Sequence, residues 1–166
     1  MTAAVLALGS NLGDREETLR AGIRAIAALP EVVVTAASGL VETPALKPGG
    51  IDPDAPAYLN AVVQVQTLLD PHDLLVQLNG IERELGRVRD ERWGDRTLDI
   101  DIIKFGDRSI DTPDLTVPHP RAAGRAFVLA PWLQVDPDAR LPEGAVADLL
   151  AATGESPSPY AAEPLL

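Results

Sequence analysis

Hydrophobic positions recur along this chain with two periods, and the switches between them outline its elements. Residues 3–9 (AAVLALG) form an apolar run bounded by Gly-Ser-Asn, the pattern of a buried strand. Asp14 with Glu17 three residues on resembles a capping box, and Leu19, Ile23 and Ile26 then recur at helical spacing up to Pro30. Residues 32–41 are rich in β-branched side chains and predict a second strand. Over 58–68 the period is two, with Leu59, Ala61, Val63 and Val65 on one face. Tyr58, Asn60, Val62, Gln64 and Gln66 make the other face, which is therefore expected to be partly polar. Asp70 and Pro71 then supply the cap and first position of a helix striped by Leu74, Leu78, Ile81 and Leu85, with Gly86 placed to end it.

Strand character returns over 98–105, and Gly106-Asp107 predicts a tight turn into 108–110. After the proline-rich TPDLTVPHP, a helix is expected around 125–134 and a short one at 146–152, followed by a loosely ordered tail over 154–166. The order strand–helix–strand–strand–helix–strand over 3–105 is that of the split βαβ. It predicts an α+β protein: a ferredoxin-like βαββαβ sandwich with a mostly antiparallel sheet and both core helices on one face, extended by a C-terminal hairpin and extra helices. The long segment 43–57, with four prolines and Gly49-Gly50, reads equally as a plain connection or as a binding loop.

Composition narrows this picture. The 166 residues show no internal repeat and 46% of them are hydrophobic, which fits one domain over 1–166 with a single, mainly aliphatic core. There is no cysteine, so disulfides and thiolate metal sites are excluded. No leader and no apolar run near twenty residues is visible, so no membrane association and a cytoplasmic location are expected. The net charge of −11 argues against a general nucleic-acid binder. Yet Arg83, Arg87, Arg89, Arg92 and Arg96 fall within fourteen residues, which points to a small anion held at one place.

The candidate chemistry is concentrated in 86–101, GRVRDERWGDRTLDID. On a strand, Asp99 and Asp101 project from one face while Leu98, Ile100 and Ile102 project from the other. Paired carboxylates suit Mg²⁺, whose shell is completed by substrate phosphates and water; the alternative is two solvent-facing aspartates on an edge strand. Asp is disfavoured in strands, so the pair calls for a cause. Arginine suits phosphate because its guanidinium is a planar, always-charged fork, although interleaved acids must pair with some of these cations. Trp93, beside Gly94 in a charged loop, reads as a stacking plate. His119, between two prolines, reads as an ordinary loop histidine when taken alone. GSNLGDR has neither the lysine and spacing of a P-loop nor the glycine pattern of a dinucleotide fold.

Taken together, GSNLGDR, the ETP at 42–44, YLNAVV, GRVR followed by ERWGDRTLDIDI, LTVPHP and RAFVLAPW resemble the 6-hydroxymethyl-7,8-dihydropterin pyrophosphokinases of folate biosynthesis. The resemblance spans about residues 3–135, with the motifs in the family's order. It implies transfer of pyrophosphate from ATP to the pterin hydroxymethyl group, with release of AMP. By similarity, Asp99 and Asp101 would hold two Mg²⁺ ions and Arg87 and Arg96 would be the catalytic arginines. Glu82, Arg89, Thr116, His119 and Arg125 match positions of the ATP site. Thr43, Pro44, Leu46, Tyr58, Asn60, Trp93 and Phe127 match the pterin pocket, with Trp93 and Phe127 sandwiching the ring and Asn60 reading its polar edge. ATP and the pterin are then the expected partners of a monomer.

Two other readings compete. A different Mg²⁺-dependent nucleotide hydrolase or phosphotransferase would use the same aspartate pair. A ferredoxin-like RNA-binding module would need exposed aromatics on its central strands and a basic face, against which the charge and the aspartates argue.

Overall fold

The structure, a computed structural model, describes residues 1–11, 13–44, 46–47, 50–51, 57–86 and 98–166. In chain order the first half comprises β1 (Thr2–Ser10), α1 (Arg15–Ala27), β2 (Val32–Ala37), β3 (Leu40–Thr43), the small hairpin β4 (Leu46–Lys47) and β5 (Gly50–Ile51), β6 (Tyr58–Thr67) and α2 (Pro71–Gly86). The second half comprises β7 (Asp99–Phe105), β8 (Ile110–Asp111), β9 (Thr116–Val117), a 3-10 turn (Ala122–Gly124), α3 (Ala126–Val135), β10 (Arg140–Leu141), β11 (Gly144–Ala145), α4 (Val146–Thr153) and β12 (Ser158–Tyr160). Among the described residues the main sheet runs β12-β3-β6-β1-β7, with β2 also pairing with β6, and every pairing in it is antiparallel.

Helix α1 starts where Asp14 accepts a hydrogen bond from the Glu17 backbone N–H at 3.1 Å, satisfying one of the free donors of the first turn. Its stripe of Leu19, Ile23 and Ile26 is fully covered by the sheet and α2, and each such side chain stabilises the fold by roughly 1.5–3 kcal/mol. Gly22 lets the helix sit close: a Cβ there would lie 3.2 Å from Leu98 and 3.3 Å from Leu8. Leu74, Leu78 and Ile81 bury α2 on the same face, and α2 is described as far as Gly86.

Three differences from the sequence expectation bear on the site. The expected strand over 32–41 is two strands, broken at Ser38-Gly39. The Ser38 hydroxyl accepts from the Val62 N–H at 2.9 Å, while the Ser38 N–H donates to the Val62 carbonyl, so the ladder on β6 survives the break. The face of β6 expected to be partly polar is covered in part: Asn60 and Val62 are buried, and Val62 joins a second core that α3 forms on that side with Val5, Ile103, Leu129 and Trp132. The sheet is thus packed on both faces. The tail expected to be loosely ordered instead adds β12 to the edge of β3, with Ser158 opposite Glu42 and Tyr160 opposite Leu40. Beyond it, Arg20 donates to the carbonyls of Glu163 and Pro164, at 2.6 and 3.0 Å, and Leu165 packs on the first core.

Strand β7 carries a bulge. Leu6 pairs with Ile102 and Val5 with Lys104, leaving Ile103 without an opposite residue. Ile100 and Ile102 face the α1/α2 core, Ile103 faces the α3 core, and Phe105 returns to the first. Asp99 and Asp101 share their face with Ile103, on the α3 side. Among the described residues no helix is long and apolar enough to cross a membrane.

Candidate active site

The antiparallel registers place four strands side by side at one end of the sheet. Asn60 of β6 is opposite Gly9 of β1, and Gly9 is opposite Asp99 of β7. One step further along the same face, Val62, Ala7 and Asp101 make the next row. On the other side of β6, Thr43 of β3 pairs with Tyr58. With strands about 4.8 Å apart, Asn60 and Asp99 stand roughly 10 Å apart across the glycine.

Over these rows opens a cavity of about 650 Å³, within the range of roughly 300–1,000 Å³ usual for small-molecule sites. Ala7 and Gly9 are its floor; Thr43, Pro44, Tyr58 and Asn60 line one side and Asp99 and Asp101 another. The start of α3, from Gly124 to Val128, and residues 155–158 of the tail complete the wall. The floor exists because the face of β1 tapers. Val5, Ala7 and Gly9 occupy successive positions on it, and the shrinking side chains turn a packed core into a hollow. At Gly9 the fit is close: a Cβ would lie 2.8 Å from the Asn60 side-chain oxygen.

Asn60 is 6% exposed, and its amide donates to the Thr43 hydroxyl at 3.3 Å. Phe127 is half-buried at the start of α3, with the Arg125 guanidinium 5.6 Å from its ring centroid. Among the described residues matched to an ATP site, Arg125 alone borders the cavity. Glu82 instead accepts the Ile100 N–H at 2.8 Å, fastening α2 to the strand that carries the two aspartates. Thr116, on β9, reaches Asp111 at 3.5 Å.

His119 follows a cis Val117–Pro118 peptide, and its N–H donates to the Ile103 carbonyl at 2.8 Å, which holds it beside β7. Its Nδ1 accepts the Arg121 N–H at 3.2 Å, so in the neutral ring the proton sits on Nε2. Partial burial lowers its pKa below the ordinary histidine value; Asp101 opposes that shift, and Arg125 and Arg121 add to it. His119 therefore lies in the field of both Asp101 and Arg125. Arg87, Arg89, Arg92, Trp93 and Arg96 lie outside the described residues, and of Leu46 only its place on β4 is described.

Asp99 and Asp101 have Cα positions about 6.7 Å apart along one face of the strand. Among the described residues no third His, Cys, Asp or Glu joins them as a metal-binding group. Two hard oxygen donors with no protein-built cage are the donor set of a magnesium ion that keeps water and phosphate in its shell. The residues fit such an ion.

The family model for 7,8-dihydro-6-hydroxymethylpterin-pyrophosphokinase matches residues 5–137. The chain belongs to this family. As a pyrophosphokinase it is an enzyme, and its relatives agree along most of their length. It is 47% identical over 148 residues to the 2-amino-4-hydroxy-6-hydroxymethyldihydropteridine pyrophosphokinase of Pseudomonas aeruginosa, covering 89% of each chain. The Bacillus subtilis enzyme of the same name is 45% identical over 132 residues, covering 80% of this chain and 77% of that one. Among solved structures, a Plasmodium falciparum HPPK-DHPS matches with a TM-score of 0.71 at 16% identity, covering 91% of this chain and 45% of that one. The pyrophosphokinase thus spans less than half the length of that solved chain, and the likeness to it is one of fold.

Sequence reasoning placed Asp99, Asp101, Asn60, Thr43, Pro44, Tyr58, Phe127 and Arg125, and the structure brings all eight to one cavity. It missed Ala7, Gly9 and the tail residues 155–158. The taper of small residues at every second position of 5–9 was the available signal for the first two; no pattern marked the tail.

Proposed function

We propose that this chain transfers the pyrophosphoryl group of ATP to the hydroxymethyl oxygen of 6-hydroxymethyl-7,8-dihydropterin, a step of folate biosynthesis. The hydroxymethyl oxygen attacks the β-phosphorus, the bond from that phosphorus to the α,β-bridging oxygen breaks, AMP leaves, and the hydroxyl proton is lost to solvent. The observation that carries this reading is the row Asn60–Gly9–Asp99, which sets a polar ring-reading group and a metal-type carboxylate roughly 10 Å apart in one cavity.

Asp99 and Asp101 would hold magnesium, as two ions, which would supply positive charge to neutralise and orient the ATP phosphates. Asn60, fixed by Thr43, reads the polar edge of the pterin, and Tyr58, Pro44 and Phe127 bound its ring, with Leu46 and Trp93 assigned to the same pocket. A flat heteroaromatic ring needs such plates and a few aimed polar groups. Arg125 faces the nucleotide, and neutral His119 offers its Nε2 proton to a phosphate or ribose oxygen. Glu82 and Thr116 act on the nucleotide side by positioning β7 and β9. Arg87, Arg89 and Arg96 supply charge to the phosphates. Positioning and charge carry such a transfer, so no protein general base is assigned. The enzyme is assigned as a monomer in the cytoplasm, which supplies the ATP.

The test is incubation of the protein with Mg²⁺, ATP and the hydroxymethyldihydropterin, with nucleotide products resolved. Pterin-dependent AMP is the expected result. ADP, or AMP formed equally without pterin, overturns the proposal in favour of a nucleotide hydrolase or phosphotransferase on the same aspartates.

A further inference from the structure

The family match ends at residue 137, and the last segment of the chain lies beyond it. Helix α4 is capped by Gly154 in a left-handed conformation, with φ of 69°, which ends the helix and redirects the chain. Residues 155–158 then border the cavity, and β12 pairs with β3 directly beside Thr43 and Pro44. The pairing is braced from α1. Arg15 donates to the Glu42 carboxylate at 2.8 Å and to the Ala57 carbonyl at 2.8 Å, and its guanidinium lies 5.8 Å from the centre of the Tyr160 ring. One cation thus ties together the strand before the site, the residue before β6, and the tail.

Resting on the reaction proposed above, we propose that the C-terminal segment is a working part of the active site. It forms the fixed outer wall of the pterin end and so determines affinity for that substrate. Its position in the sheet decides which substrate feels it. From β12 to β7 the order is β12-β3-β6-β1-β7, four strand spacings, so β12 stands roughly 19 Å from the strand of the aspartates, and residues 155–157 border the cavity from that far edge. The residues that read the pterin are on the two strands nearest to it. Loss of the wall opens the ring pocket to water and frees β3 at its edge, while the phosphate end stays intact.

The test compares three full-activity assays: the intact chain, a chain ending at Gly154, and a triple variant Glu155→Gly, Ser156→Gly, Pro157→Gly that keeps β12 and the Arg20 anchor. Both altered proteins are expected to raise KM for the pterin about five- to tenfold, with KM for ATP and kcat changed less than about twofold. Thermal melting of the triple variant close to that of the intact chain separates the wall from general stability. If the triple variant melts normally and its pterin KM is unmoved, the proposal fails. A parallel rise in both KM values also overturns it, since that is the signature of general destabilisation. Absence of pterin-dependent AMP from the intact chain would instead refute the reaction itself.

Discussion

Substitution Gly9→Ala replaces one hydrogen by a methyl group, yet the registers predict a functional defect out of proportion to its size. The new Cβ would stand 2.8 Å from the Asn60 oxygen, whereas an ordinary contact is about 3.4 Å or more, so the amide must retreat by roughly 0.6 Å or rotate. Backbone cannot yield easily, because Gly9 is locked in register with both Asn60 and Asp99. The Asn60 side chain yields instead. Its hydrogen bond to Thr43, already at 3.3 Å, is then lost, at a cost of about 1 kcal/mol. Stability should therefore fall by only about 1 kcal/mol, a few degrees in melting temperature for a domain of this size. Catalysis should suffer more, since a displacement of about 1 Å in a positioning group costs up to 10²-fold; a loss of about 10- to 100-fold in kcat/KM for the pterin is expected. Steady-state kinetics with the pterin varied at saturating ATP measures it. The decisive control is a double-mutant cycle with Asn60→Ala. If Gly9 acts through Asn60, adding Gly9→Ala to Asn60→Ala changes kcat/KM less than about twofold. A single variant with near-normal kcat/KM, or full additivity in the cycle, would refute the reasoning.

Other consequences are as specific. Asp99→Asn and Asp101→Asn are each expected to lower turnover at least about a hundredfold while the fold persists, as followed by AMP release and circular dichroism; near-normal turnover in either contradicts the metal assignment. Magnesium alone, at tenfold excess over its Kd, should stabilise the intact chain by roughly 1.4 kcal/mol, seen as a rise in melting temperature that both Asn variants diminish. Glu82→Ala leaves the Ile100 N–H of the edge strand without its acceptor and should destabilise the protein by about 1–3 kcal/mol, whereas Glu82→Gln keeps an acceptor oxygen and most of the stability. Denaturant melts of both variants decide it, and equal losses would show that the charge rather than the hydrogen bond matters.

Elements whose pattern is local were legible in the sequence. The cap of α1, the stripes of α1 and α2, the period-two run of β6 and the common face of Asp99 and Asp101 follow from spacing alone, and the structure shows each of them. Features that depend on distant partners were not. Alternation could not tell that Val62 would be buried, because its cover comes from α3, about seventy residues on. Nor could it place the break at Ser38, where a hydroxyl stands in for a strand's own backbone group on β6. The β7 bulge was hidden for the same reason: Ile102 and Ile103 are both apolar, and only pairing with Val5 and Leu6 reveals that they face opposite cores.

The same division explains what was seen of the site. Charged residues announce themselves, and the aspartates were singled out by chemical type, whereas Asn60 and Phe127 were matched only through the family resemblance. The cavity itself is made by residues with nothing to announce. Ala7 and Gly9 contribute by being small at positions where Val5 is not, and their meaning appears only when β6 and β7 are laid on either side of β1. A hollow in a packed sheet must be specified by missing atoms, and a polar group within it can be held in place by a neighbour that leaves it room. Motif reading therefore picks out candidate groups by their chemistry and underestimates the small residues that shape the cavity around them. Gly9 and the C-terminal wall are where that shortfall is largest here, and each makes a kinetic difference that a variant at one end of the sheet can measure without touching the other.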